Sequence, residues 1–449
     1  MSAPRGQFST KFGFIMAAAG SAVGLGNIWG FPTQTASNGG AAFVVVYFVL
    51  AFLLAYPALM AELVIGRHAR ANIVTALGGL SDKPAASLFG RFTGFYGVIT
   101  ASLILSFYTI VAGWMICYLA AAGTDLLGQD QATQWLTSMS TERNLLSSAV
   151  FAGLTLYIIS SGVQDGIEKW SSRLMPALIG LLLLLIAYVL TQKGAMEGLK
   201  VYLLPDLSRV FEPTLIVSAM GQAFFSLSLG VGTMLVYGSY LSKEESLPRM
   251  GALVTVIDVG IAFTAGLLIL PAMFVAQEAG ITITDAAGNL IGDSDIVFQV
   301  LPPLFDSMGP AGNFVALAFF TLMTIAALTS SISMLEVPVS MTVERFNVSR
   351  PVAALVIGGS IFAISCLLIF NFGTLFGFVI DLTTKYSQPL LGVVICLYCG
   401  WIFKRHALLK ELQEGQEDIA QTLFWKIWPL YVKIICPLLI LAAFWLSLG

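Results

Sequence analysis

Charged residues are scarce in this sequence: Asp, Glu, Lys and Arg make up 10% of its 449 residues, against about a quarter in soluble domains. The net charge of −3 is too small to point to a strongly acidic or basic partner. No basic stripe interleaved with aromatics is present either, so nucleic acid is not expected as a partner. Histidine is nearly absent. His68 and His406 fall in or beside polar loops with no nucleophile or metal-ligand set, which argues against an enzyme. The five cysteines, at 117, 366, 396, 399 and 436, all lie in apolar stretches. Cys396-Leu-Tyr-Cys399 lacks the second pair that a zinc site needs, so they read as small buried helix residues. The first ten residues are polar and lack the apolar core and small-residue cleavage site of a signal peptide, so the N-terminus is expected in the cytoplasm.

Apolar length, in contrast, is plentiful. Hydrophobic residues form 57% of the chain, and runs such as Leu174 to Thr191 approach the roughly 20 apolar residues that cross a bilayer core. Spans are expected at about 12–36, 41–66, 92–122, 145–163, 174–191, 214–241, 251–276, 311–343, 352–371, 373–403 and 425–447, which makes an all-α integral membrane protein of eleven helices. The loops after even-numbered spans gather most of the Lys and Arg, from Arg67 and Arg70 to Lys404, Arg405 and Lys410. Outer loops hold chiefly Arg143, Lys193, Lys200 and Arg209. This bias predicts a cytoplasmic N-terminus and an extracytoplasmic C-terminus in a plasma (bacterial inner) membrane. The Pro- and Gly-containing segment Gln277 to Pro310, with Asp285, Asp293 and Asp295, reads as an outer loop capping a vestibule. Lys404 to Asp418 reads as a solvated cytoplasmic linker.

Two spans are interrupted. The first contains Gly20, Gly24 and Gly26, and the sixth runs Gly221-Gln-Ala-Phe-Phe-Ser-Leu-Ser-Leu-Gly-Val-Gly232, where each glycine costs a helix about 1 kcal/mol relative to alanine. Spans 1 and 6 stand five apart. Broken helices in matching positions predict two inverted repeats of five helices, 12–191 and 214–403 with 425–447 as helix 11, in one transmembrane domain 1–449 holding its ligands near the midplane. Unwound backbone at that depth must face protein or a water-filled cavity. Close helix packing by small residues is the other reading of these glycines.

At these residues the sequence resembles the neurotransmitter:sodium symporter family, in particular its bacterial eleven-helix amino-acid transporters. The resemblance rests on Gly20 to Pro32, Asn38-Gly39-Gly40, Ser106-Phe-Tyr108, Gly221 to Gly232 and Leu328-Thr-Ser-Ser-Ile332, and it anchors about the first ten helices. It implies a leucine-transporter-like fold and two sodium sites. One would use carbonyls of Gly20, Val23 and Ala326 with the hydroxyls of Thr329 and Ser330; the other the Ala22 carbonyl, Asn27, Ser226, Asp258 and the substrate carboxylate. Hard oxygen ligands suit such a cation, although Thr329 and Ser330 read equally as hydroxyls bonded to carbonyls one turn back. By the same resemblance, relatives that carry amines place an aspartate at position 24. Gly24 therefore implies a substrate with its own carboxylate, bound by amides near Leu25 and Gly26 and by Tyr108. Its ammonium would meet carbonyls near Ala22, Phe225 and Ser226, and its side chain would meet Ser21, Ile104, Phe225, Ser228, Val231 and Met334, beside Ser330.

Ionisable residues inside spans are costly and each is a functional candidate. Glu62 and Glu336 match buried family positions and read as structural. Asp258 stands near Tyr47, Gln222 and Ser226, where chloride-dependent relatives bind the anion, so chloride is not expected to be required; Ala262 also lacks the hydroxyl those relatives offer. The family's outer-gate arginine is replaced by Gly30 and its acid aligns with Ile380. Asp381 and Lys385 stand i, i+4 and either pair with each other or serve the gate or the substrate. Arg5 matches the inner-gate arginine, with Glu344 its expected acid and Tyr240 nearby, or is simply a positive-inside charge. The expected function is sodium-coupled symport of an amino acid or related carboxylate-bearing zwitterion by alternating access, with no organic cofactor and no partner beyond lipid and the small substrate. A substrate-sensing receptor on the same scaffold, or less favourably a membrane enzyme, is the alternative. Nothing in the sequence sets an oligomeric state.

Overall fold

The structure is a computed structural model that describes residues 6–284, 290 and 296–447. Arg5 and the acids Asp285, Asp293 and Asp295 lie outside the described residues. The described chain is helical, with one isolated bridge, Thr284 to Leu290.

In chain order the helices are α1 Lys11–Ala22, α2 Gly26–Ser37, α3 Ala41–Ala69, α4 Ile73–Gly79, α5 Pro84–Leu126, α6 Asp130–Thr137, α7 Thr141–Ser160, α8 Val163–Val189 and α9 Ala195–Leu203. They continue as α10 Pro213–Ser226, α11 Thr233–Gly238, α12 Leu247–Glu278, α13 Leu301–Ser307, α14 Ala311–Phe346, α15 Arg350–Phe370, α16 Phe372–Ile402, α17 Arg405–Gln413 and α18 Leu423–Leu446. Among the described residues, eight are long and apolar enough to cross a membrane, and ten if the bent pairs α1/α2 (55°) and α16/α17 (100°) each count as one span. The expected sixth span falls outside that count because its pieces, α10 and α11, are 14 and 6 residues long.

Local chemistry sets several boundaries. The Thr10 hydroxyl accepts from the Gly13 amide at the start of α1, and Ser140 from the Arg143 amide at the start of α7, satisfying amides that lack intrahelical partners. Proline opens α5 and α10, where its missing N–H costs nothing. Helix α14 runs through the bundle against α1, α5, α7 and α8.

The break between α10 and α11 is held open by its backbone. Ser228, Gly230 and Gly232 take φ of 52°, 85° and 83°, a region glycine enters without penalty and serine does not. A side chain at Gly230 would strike the Gln388 carbonyl of α16. Glu62, only 2% exposed, accepts from the amides of Gly230 (2.7 Å) and Leu235 (3.2 Å). Its buried carboxylate and the orphan amides of the broken helix satisfy one another.

Candidate functional site

The two breaks face each other across one small cavity. Ala22, Gly24, Leu25 and Gly26 supply one wall and Phe225, Ser226, Ser228 and Val231 the opposite one. Ile104 and Tyr108 of α5, Ser330 and Met334 of α14, and Gln388 of α16 complete it. Of the residues expected at a substrate, only Ser21 does not line it: its hydroxyl bonds Ser333 at 2.8 Å, tying α1 to α14 instead. Gln388, which sequence reasoning missed, does line it.

At the first break a backbone amide turns to a side chain of α5. The Leu25 amide donates to the Tyr108 hydroxyl at 3.4 Å. A Cβ on Gly24 would collide with the Ser330 hydroxyl and lie 3.0 Å from that of Tyr108, so this position has room for hydrogen alone.

Two oxygen-rich clusters flank the cavity. In one, the Asn27 amide nitrogen donates to the Asp258 carboxylate at 2.7 Å and to the Asp258 carbonyl at 3.1 Å. The Ser226 hydroxyl lies 3.0 Å from both carboxylate oxygens, and Tyr47 donates to Ser226 at 3.4 Å. The Asn27 side-chain oxygen accepts from the Gly24 amide at 3.3 Å, which joins this cluster to the cavity wall. Gln222 braces the break by donating to the Gly26 carbonyl at 2.7 Å. In the other cluster, the Ser330 hydroxyl is within 3.3–3.4 Å of the carbonyls of Gly20, Ser21 and Val23. Thr329 turns its hydroxyl to the Ala326 carbonyl at 3.1 Å, the intrahelical geometry that the sequence left open, one residue from Ser330, which reaches across to α1.

Aromatic rings converge beside Gly30, on the side expected to face outward. Gly30 leaves the gate position without a side chain, and Phe298 stands with its ring centroid 5.7 Å from Trp29, 5.5 Å from Trp114 and 5.3 Å from Tyr118. Trp114 is itself fixed by donating to Asn144 at 3.0 Å. The aromatic residue types were visible in the sequence, but their convergence from α2, α5 and the segment before α13 was not. Asp381 and Lys385 pair with each other at 2.8 Å, both half exposed. On the opposite side, Glu344 accepts from the amide and side chain of Asn72 at 3.0 and 2.7 Å. The Tyr240 hydroxyl donates to Glu336 at 2.5 Å, and Arg350 pairs with the same carboxylate.

Comparison with known proteins gives matches that run over almost the whole chain. The chain is 34% identical to YhdH, a sodium-dependent transporter of Bacillus subtilis, over 98% of this chain and 96% of that protein. It is 28% identical to the sodium- and chloride-dependent taurine transporter of the dog over 76% of this chain and 61% of that one. The crystal structure of MhsT in complex with L-phenylalanine superposes with a TM-score of 0.83 at 36% identity, covering 98% of this chain and 99% of the other. The sequence model of the sodium:neurotransmitter symporter family matches residues 5–153 and 142–448. With paired helix breaks around a common cavity and a match that runs almost from end to end, the chain belongs to the sodium:neurotransmitter symporter family.

Proposed function

We propose that this chain couples the sodium gradient to uptake of an amino acid, or a close zwitterionic analogue, by alternating access. The observation that carries this is Gly24: with no space for a side chain there, the amides of the broken first helix and the Tyr108 hydroxyl are left to a carboxylate brought by the substrate. Binding of L-phenylalanine by MhsT supports the class.

The Asn27–Ser226–Asp258 cluster with the Ala22 carbonyl is one sodium site in this reading, and the substrate carboxylate completes it. The second comprises the Gly20, Val23 and Ala326 carbonyls with Thr329 and Ser330. The ions are cargo: the first draws the two broken helices together as it binds, and the second draws the first broken helix against α14. Asp258 supplies the fixed negative charge that chloride gives some relatives, so transport proceeds without chloride. Eleven spans in a single domain, repeats 12–191 and 214–403, a cytoplasmic N-terminus and an extracytoplasmic C-terminus complete the proposal, with Arg5 and Glu344 closing the inner side near Tyr240.

A thermal-unfolding screen of the purified protein tests the site. Amino acids should raise the unfolding temperature in sodium and not in potassium, because ligands of the folded state stabilise it by mass action. Amines lacking a carboxylate should do nothing. Equal stabilisation by an amino acid and its decarboxylated amine would overturn the reading of Gly24.

A further inference from the structure

The central cavity has one wall that the symport mechanism does not use. Gln388 comes from α16, whose expected candidates Asp381 and Lys385 do not line the cavity, yet Gln388 does. It is 3% exposed, and its side-chain oxygen has no hydrogen-bond partner. Buried polar groups are nearly always paired, so an orphaned amide at a ligand cavity needs an explanation.

Elimination gives one. In the proposed function the substrate carboxylate occupies the Leu25 amide and Tyr108, and the ammonium occupies carbonyls near Ala22, Phe225 and Ser226. What remains for Gln388 is the substrate side chain. Its position is fixed rather than incidental, since α16 packs its Gln388 carbonyl against Gly230, where a Cβ would not fit. Val231, a short side chain, stands next to that glycine on the cavity wall. Gln388 and Phe225 also form the wall shared with a second cavity of about 140 Å³ between α10, α16 and α18. The other residues expected around the substrate side chain that line the cavity are apolar or carry a hydroxyl: Ile104, Phe225, Val231, Met334 and Ser228.

Resting on the amino-acid reading above, we propose that Gln388 is a specificity-determining residue that selects substrates whose side chain ends in a neutral hydrogen-bonding group. Rotating the amide exchanges its oxygen and nitrogen, so it can accept from a phenol or amide donor or donate to an amide carbonyl. A purely hydrocarbon or thioether side chain leaves it unpaired and is disfavoured, since sites built to bond a polar substrate group discriminate strongly against analogues lacking it.

The test is competition between matched probes for the full-length protein in sodium: L-tyrosine against L-phenylalanine, and L-glutamine against L-methionine. The polar member of at least one pair should bind tenfold or more tightly, and Gln388→Met should remove that preference while retaining or tightening binding of the apolar member, which reports an intact site. Gln388→Ala removes the amide without adding bulk and should give the same change in ratio if the methionine variant folds poorly. Apolar members binding as tightly as polar ones in both pairs, or an unchanged ratio in both variants, would overturn the proposal. If no amino acid binds in sodium, the functional reading itself fails and this inference falls with it; if amino acids bind but the ratio ignores Gln388, only the inference fails.

Discussion

Removing the Glu62 carboxylate should both destabilise the protein and loosen the substrate site. Glu62 accepts from two buried amides, Gly230 within the second helix break and Leu235 in the first turn of α11, at 2.7 and 3.2 Å. A buried donor left without its acceptor costs about 1–3 kcal/mol. Glu62→Gln keeps the shape and one acceptor oxygen but turns an NH2 group toward one of the two amides, so it should cost about 1–3 kcal/mol on that scale. Glu62→Ala orphans both amides and should cost roughly twice as much, plus the cavity it opens. Because the break carries Ser226, Ser228 and Val231, sodium-dependent binding should fall in the same order. The assay is unfolding of purified protein with and without sodium and amino acid. Wild-type stability in Glu62→Ala, or Glu62→Gln behaving worse than Glu62→Ala, would refute the view that this carboxylate holds the break.

Three further outcomes follow from other contacts. Gly24→Ala drives a methyl group into the Ser330 hydroxyl and to 3.0 Å from that of Tyr108; sodium-dependent ligand stabilisation should be lost, and an unaltered shift in the unfolding temperature would contradict it. Phe298→Ala removes the ring packed against Trp29, Trp114 and Tyr118 and should speed release of bound radiolabelled substrate to the outer side by tenfold or more, equivalent to about 1.4 kcal/mol; unchanged release would remove Phe298 from the gate. Glu411 on the polar helix α17 is held below its ordinary value of 4.5, because His68 and Arg67 outweigh the opposing effect of burial. A depressed carboxylate contributes stability that is fully present above pH 4.5 and lost as pH falls through the lower folded value. Acid unfolding below pH 4.5 should therefore be shallower in Glu411→Gln, and superimposable acid limbs would contradict the assignment.

The parts of this protein that could be read from sequence are those written in composition and local backbone chemistry. Apolar runs set the long helices, and glycines at 20, 24, 26, 230 and 232 marked the breaks, because conformational freedom is a property of the residue itself. The bulk of the cavity wall followed from those breaks together with the family motifs. Contacts that depend on how separate helices meet were not legible. Gln388 lies in an ordinary-looking stretch of α16 and reaches the cavity only because Gly230 lets that helix approach. Ser21 was expected at the substrate but finds Ser333, a partner 312 residues away. Phe298 meets three rings from two helices, and the Tyr240 hydroxyl also reaches Glu336, contacts that no local pattern in the sequence announces.

Uptake into proteoliposomes tests the central claim most directly. With the purified chain reconstituted, an inward sodium gradient should drive accumulation of a radiolabelled amino acid identified by the binding screen above its external concentration. That accumulation should survive replacement of chloride by gluconate and vanish when potassium replaces sodium. Accumulation that is indifferent to sodium, or binding in sodium without any accumulation, would contradict sodium-coupled transport.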